Sequence, residues 1–280
     1  MKKRFKGKGR VAVETKRDLD VRSLRSAQAQ SKRQGKRQDA FHTQWQQLYD
    51  CADPESRVRL IKLRDLFNRQ KHGVSEPAQV EVEVALLMNQ AGFSVAFLEE
   101  SDVRTADLEC YFGNERLFVE VTAIVPTPSV RRGMESQDVD RVLFENDIYH
   151  DVFVRRLLSR MTEKAKQLNR YCAPILLTVT VPFSEWLEEI RSRQEKVDLQ
   201  RLSGLLSTAL TSIPQLSGIL ITCWNFSAQP ARSNIRLSNA TWVARSEGEL
   251  KFPRIRLLVI NPSATYSLEE KEVVALTSVL

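Results

Sequence analysis

Two carboxylates give the first chemical signal in this sequence. In Ala106–Ala123, ADLECYFGNERLFVEVTA, the strand-like runs ADLECYF and RLFVEVTA flank the break GNE. Asp107 opens the first run and Glu120 stands near the end of the second. Gly113-Asn114 has the composition of a two-residue hairpin loop. With that loop, Phe112 pairs with Glu115, facing positions sum to 227, and Asp107 lies directly opposite Glu120. Facing side chains in such a pair sit about 4.5–5.5 Å apart, and like charges there destabilise a sheet. A divalent cation between them would remove that penalty, and two hard carboxylates on a rigid hairpin suit Mg²⁺ or Mn²⁺. The same register sends Leu108, Cys110, Phe112, Leu117, Val119 and Val121 to the other face, which is expected to be core. Two solvated acids at a hairpin end are the alternative reading.

The segment before the hairpin can supply a third carboxylate. EPAQVEVEVALLMNQAGF predicts a helix ending at Gly92, with the apolar stripe Val80, Val84, Leu87, Met88 and Ala91. Glu81 borders that stripe beside Met88 and can lean toward the sheet on which the helix packs. Glu83 flanks the other edge, and Glu76 stands at the helix start. A carboxylate from a packed helix suits a second metal position or a water ligand.

AQVEVEVALLMNQAGFSV, ADLECYF and LFVEVTA together resemble the core of the PD-(D/E)xK nucleases, the restriction-endonuclease-like fold. In spacing they are similar to Holliday-junction resolvase-like nucleases. The resemblance covers about residues 76–181. It implies a metal-dependent DNA endonuclease, with RNA as an alternative target, that hydrolyses phosphodiesters with metal-activated water. Carried over residue by residue, Glu81 matches the helix glutamate, Asp107 the strand aspartate and Glu120 the glutamate of the last motif. These three would hold Mg²⁺ or Mn²⁺, with the carbonyl of Val121 as a further ligand.

Two positions depart from the pattern. Ala106 stands where proline often precedes the aspartate. Thr122 stands where the catalytic lysine belongs, and threonine supplies a hydrogen bond but no charge. The following helix, DVFVRRLLSRMTEKAKQLNRY, has the stripe Val154, Leu157, Leu158, Met161, Ala165 and Leu168. At 100° per residue Lys164 borders that buried face. Lysine relocation to this helix is known in the superfamily, so the resemblance makes Lys164 a substitute. A lysine lying over apolar surface with its head in water is the competing reading. Arg131 and Arg132 are a further source of positive charge near phosphate. A nuclease fold that binds DNA or RNA without cutting is the runner-up, and a scaffold whose basic tail docks on an acidic partner is the third reading.

The chain of 280 residues, 42% hydrophobic, can bury a substantial core. It contains no run of 18 apolar residues, so no membrane span is expected, and MKKRFKGKGR is not read as a secretory signal. A cytoplasmic protein is the expectation. Cys51, Cys110, Cys172 and Cys223 are isolated, and the expectation is buried, reduced thiols rather than zinc ligands. His42, His72 and His150 lie too far apart for a metal cluster, and KGKGR lacks the context of a phosphate loop. Residues 1–37 hold 14 Lys/Arg against three acids, leaving 28 basic against 32 acidic in the remainder. All the excess positive charge therefore lies in a tail expected to be disordered or loosely helical when alone. Its Lys2, Lys3, Arg4, Lys6, Lys8 and Arg10 are candidate phosphate contacts, which track a backbone without reading sequence.

These residues need a frame to position them. Asp53 and Pro54 predict the start of a helix with Val58, Ile61, Leu66 and Phe67 inward and Arg57, Arg59, Lys62, Arg64 and Arg69 on a solvated face. After the helix bearing Glu81 come three strands, the helix at about 148–170, and the buried strand PILLTVTV. Further on, a helix from Ser184 to about Leu210, the strand GILITCW, a hairpin around NIRLSNATWVAR and the strand RIRLLVI are expected. That order predicts an α/β protein with a mixed central sheet flanked by helices. It divides into a basic arm (1–37), a helical segment (38–75) and an α/β domain with a core (76–181) and a C-terminal extension (182–280). Resolvases of this fold are symmetric dimers, so a homodimer is a further expectation of the resemblance.

Overall fold

The computed structural model describes residues 35–71, 73–99, 105–125, 148–182, 196–224, 227–229, 235–238, 241–245 and 255–280. The chain divides into two units, Met1–His42 and Thr43–Leu280. In the first, the described residues 35–42 are helical. Lys2, Lys3, Arg4, Lys6, Lys8, Arg10, Arg131 and Arg132 lie outside the described residues, as do His72 and Trp186.

The second unit opens with a helix over 43–51 (α1), whose Trp45 Nε1 donates to Leu60 O at 2.7 Å. Asp53 then caps the helix α2 (Pro54–Asn68). Its Oδ1 accepts from Glu55 N and Ser56 N, both at 2.9 Å, which satisfies donors that a helix start leaves unpaired. Pro54 sits where a missing N–H costs nothing. Helix α3 (Ser75–Gln90) is buried on nearly every side, lying between α2 and the sheet. It stops at Gly92, whose φ of +90° is readily reached only without a Cβ.

The strands β1 (Ser94–Phe97), β2 (Leu108–Phe112) and β3 (Glu115–Ala123) form an antiparallel meander. The β2–β3 register pairs Leu108 with Val119 and Phe112 with Glu115, as the two-residue loop predicts. Helix α4 (Ile148–Leu168) returns the chain to β4 (Ile175–Val181), which pairs parallel to β3. All seven residues of β4 are buried, the continuous apolar run expected of a strand covered on both faces. The strands β5 (Lys196–Asp198) and β7 (Ser227–Gln229) make a small separate parallel pair. Helix α5 (Leu199–Thr211) leads to β6 (Gly218–Cys223), parallel to β4. Strands β8 (Ile235–Ser238), β9 (Thr241–Arg245) and β10 (Ile255–Ile260) complete an eight-stranded mixed sheet of order β1-β2-β3-β4-β6-β10-β9-β8, and helix α6 (Glu270–Ser278) ends the chain.

Strand alternation splits the core between the two faces. Phe118, Ile175, Leu177, Val179, Ile219, Ile221, Leu257 and Val259 cluster with Leu157, Met161, Ala165 and Leu168 of α4 and Leu202, Leu206 and Leu210 of α5. Each fully buried side chain of this size contributes about 1.5–3 kcal/mol, so the cluster fixes α4 firmly on the sheet. Leu108, Cys110, Leu117 and Val119 are wholly buried on the other side, toward α3. The protein is thus α/β, with a mixed sheet flanked by helices. No helix among the described residues is long and apolar enough to cross a membrane.

Four expectations are corrected. Helix α2 turns Ser56, Arg59, Leu60, Leu63 and Phe67 inward, while Val58 and Ile61 are exposed. Arg59 therefore leaves the solvated face assigned to it, because its stripe recurs at three- and four-residue steps from Ser56 to Phe67. Among the described residues the helix expected from Ser184 begins only at Leu199, capped by Asp198, since β5 occupies the three residues before it; residues 184–195 lie outside the described residues. Cys51 and Cys172 are exposed free thiols; only Cys110 and Cys223 are buried. Helix α6 was not expected from the sequence.

Candidate active site

The hairpin, α3 and α4 bring the candidate residues into one neighbourhood. Asp107 immediately precedes β2, just outside the paired register, which ends at Leu108 opposite Val119. It donates its N–H to that same Val119 O at 3.2 Å, so the directly facing Asp107–Glu120 pair expected from the loop is not formed. Its Oδ2 accepts from Val121 N at 2.7 Å, so the carboxylate is tied across the hairpin. The residue before it is also anchored, since Ala106 N donates to Tyr171 Oη at 2.9 Å. Tyr171 in turn lies against the Phe118 ring, with centroids 4.1 Å apart. Nothing in the sequence points to Tyr171, a lone hydroxyl 65 residues from its partner.

Glu120 is 2% exposed, on the face of β3 that α4 covers. Lys164 of α4 forms an ion pair with its Oε1. The helical phase of Lys164, at the border of the buried stripe, is what allows this reach. Oε2 of Glu120 and Oγ1 of Thr122, two residues on along the same face, are both buried without a hydrogen-bond partner. Buried polar atoms are rarely left so, and each such atom calls for a ligand, a water or an ion. Burial pushes the Glu120 carboxyl up, as do the charges of Asp107 and Glu81, while Lys164 offsets them; the balance raises it from 4.5 to about 7. Asp107 and Glu81 thus both lie within electrostatic reach of Glu120.

Glu81 is engaged from another side. Arg59 donates from Nε to its Oε1 and from Nη2 to its Oε2, each at 2.9 Å, in a buried bidentate pair. Of the three carboxylates expected to hold a metal, Glu81 is therefore the one already paired with a cation through both oxygens. Among the described residues no group of three His, Cys, Asp or Glu side chains is arranged to hold a metal ion. The other two acids of α3 also have local tasks. Glu76 accepts from Gly73 N at 2.7 Å, and Glu83 accepts from Gln79 Nε2 at 2.5 Å.

The remaining donors are hard oxygens. Within a strand, the N–H and C=O of one residue point the same way. Glu120 O faces β4, accepting from Thr178 Oγ1 at 3.1 Å, while Val121 N faces Asp107. The Val121 carbonyl is thereby directed to the β2 side, beyond the end of that strand. Asp107, Glu120 and this carbonyl make a donor set suited to Mg²⁺ or Mn²⁺, and the unpartnered Oε2 is consistent with such an ion.

A second feature lies on the α3 face of the sheet. A cavity of about 70 Å³ is lined in part by Glu83, Thr180, Thr222, Trp224 and Arg256. Of the residues above it contains only Glu83, whose charge acts on the half-buried Arg256, so the hairpin is the better chemical candidate. No family model matches the chain, and no curated protein or solved structure matches it either.

Proposed function

We propose that the protein is a metal-dependent DNA endonuclease of the PD-(D/E)xK type, with Asp107, Glu120 and Lys164 as its catalytic group. The observation that carries this reading is Lys164 meeting Glu120 beside Asp107, which returns positive charge to a site where Thr122 replaces the motif lysine. The element order supports it as well. A helix, a three-stranded meander, a helix and a strand parallel to the third form the arrangement implied by the restriction-endonuclease-like resemblance.

Asp107, Glu120 and the Val121 carbonyl would hold the Mg²⁺ or Mn²⁺ ion. When bound, it supplies Lewis-acid activation of water and neutralises charge on the phosphate. The chain's own groups do the rest. Val121 N and the Tyr171–Ala106 contact fix the Asp107 carboxylate before substrate arrives, so little reorganisation is needed. Lys164 Nζ steadies the Glu120 carboxylate and offsets charge that grows on a phosphate oxygen. Thr122 Oγ1, buried two residues on from Glu120 along β3, has a proton to donate to water or phosphate. The basic segment 1–37 would grip nucleic-acid backbone of either kind, with a grip that weakens steeply as salt rises.

The second reading, a nuclease fold that binds nucleic acid without cutting, draws on Thr122 and on the engagement of Glu81 by Arg59. Incubation of the full chain with plasmid and branched DNA, in Mg²⁺ or Mn²⁺, separates the two. Cutting that disappears with Asp107→Ala supports the enzyme. Retained binding with no cutting under either metal supports the binding module.

A further inference from the structure

We propose that this site takes a single divalent cation, and that Arg59 sets that number by holding Glu81. The inference rests on the nuclease reading above and concerns how many ions its centre accepts.

The first argument is geometric. A second ion would need Glu81, the remaining carboxylate near Glu120, yet both Glu81 oxygens accept from one guanidinium. The pair is buried, with the two side chains 10% and 8% exposed. The planar fork of arginine matches a carboxylate with two parallel bonds, a geometry lysine cannot reproduce. Arg59 is also held in place by the fold. One turn earlier on α2, Ser56 Oγ accepts from Phe97 N at 2.9 Å, fastening the same helix face to β1. Leu60 and Leu63, which follow Arg59 on the helix, are buried. Arg59 is thus part of the packed face of α2 rather than a mobile surface cation.

The second argument is charge. Glu81, Asp107 and Glu120 ionised give −3, and Arg59 and Lys164 return +2, leaving −1. One divalent cation brings the cluster to +1, which a single phosphodiester balances. Two would bring it to +3 in a largely buried site, where excess like charge is poorly screened. Without Arg59 the cluster would hold −2, and a second ion would find both the charge and the Glu81 oxygens.

Mn²⁺ titration of the full chain, followed by electron paramagnetic resonance and calorimetry at pH 8, tests this. The expected result is one Mn²⁺ per chain, lost on Asp107→Ala. Arg59→Gln should admit a second Mn²⁺. The double variant Arg59→Gln/Glu81→Gln keeps the cluster at −1 and removes the carboxylate. It should still bind one Mn²⁺, with affinity lowered by no more than the roughly 10–100-fold that loss of an outer-shell partner costs. The charge-balanced double variant decides the matter even if Arg59→Gln fails to fold. Two Mn²⁺ in the unaltered chain, or a collapse of affinity in the double variant, overturns the assignment of Arg59 alone. No Mn²⁺ binding at all overturns the metal site itself, and this inference with it.

Discussion

Replacing Glu120 by Gln probes the energetic state of the site without requiring a substrate. Burial and the charges of Asp107 and Glu81 raise the Glu120 carboxyl from 4.5 to about 7. An acid so raised binds its proton more tightly in the folded chain than in the unfolded one. Between those two values the unfolded state carries fewer protons, so folding stability falls as pH rises, and the loss is complete above about 7. At ~1.36 kcal/mol per pH unit, the penalty for ionised Glu120 comes to ~3 kcal/mol. Glutamine keeps the volume and cannot ionise, and the partly exposed Lys164 head can turn to water. The variant should therefore match the unaltered chain at pH 5 and exceed it by ~3 kcal/mol at pH 8, about 6 °C in Tm for a unit of this size. Denaturant titrations of both proteins at pH 5, 6, 7 and 8 measure the difference, in which other titrating groups cancel. Mn²⁺ at pH 8 should stabilise the unaltered chain and leave the variant unmoved, because only a carboxylate at 120 offers the ion its charge. A difference that stays flat with pH, or a variant weaker at pH 8, would refute the argument that burial outweighs the Lys164 pairing.

Four other outcomes follow from the same geometry. Lys164→Met should lower the cleavage rate by about 10²–10³, the usual cost of losing one charge-stabilising group, with Lys164→Arg retaining part of it in single-turnover assays on plasmid. Arg59→Ala should cost about 3–5 kcal/mol by leaving Glu81 charged and buried, whereas Arg59→Met with Glu81→Leu should recover most of that loss in denaturant titrations. Asn261→Ala should cost about 3 kcal/mol or more in the same assay, because the buried Nδ2 donates to Leu210 O in the last turn of α5 and to Ile213 O and Leu216 O just after it. Deleting residues 1–37 should weaken DNA binding and flatten its dependence on salt, read as the slope of log affinity against log salt concentration.

What the sequence makes legible here is what short-range rules govern. The β2–β3 register follows from a two-residue loop, the start of α2 from Asp53 and Pro54, and the end of α3 from a glycine at positive φ. The face of α2 is misread because Val58 and Ile61 look apolar while Arg59 looks solvated. The stripe that packs has an arginine inside it, tolerable only because a carboxylate 22 residues away on another helix meets it. Helix α6 escapes because its capping box uses Glu269 with Glu272, whereas the usual signal is a Ser, Thr, Asp or Asn cap.

The site divides along the same line. That the hairpin brings Asp107 near Glu120 is a two-strand property, computable from a loop length, although the ladder ends at Leu108 and Val119 and Asp107 bonds to Val119 rather than facing Glu120. That Lys164 borders a buried stripe is a one-helix property. That Lys164 reaches Glu120, that Arg59 claims Glu81, and that Tyr171 anchors the backbone ahead of Asp107 all depend on how separate elements pack. These three contacts share one effect. Each fixes an acid, or the backbone beside it, before any ligand arrives. A hairpin with two exposed acids needs no such support, since water would hold its carboxylates at no cost. Here the supporting groups come from α2, from α4 and from the turn after α4, and they leave one carboxylate oxygen of Glu120 buried and unsatisfied. A fold that surrounds an acid with this much structure and still withholds a partner from Oε2 has the form of a binding site rather than of a solvated surface.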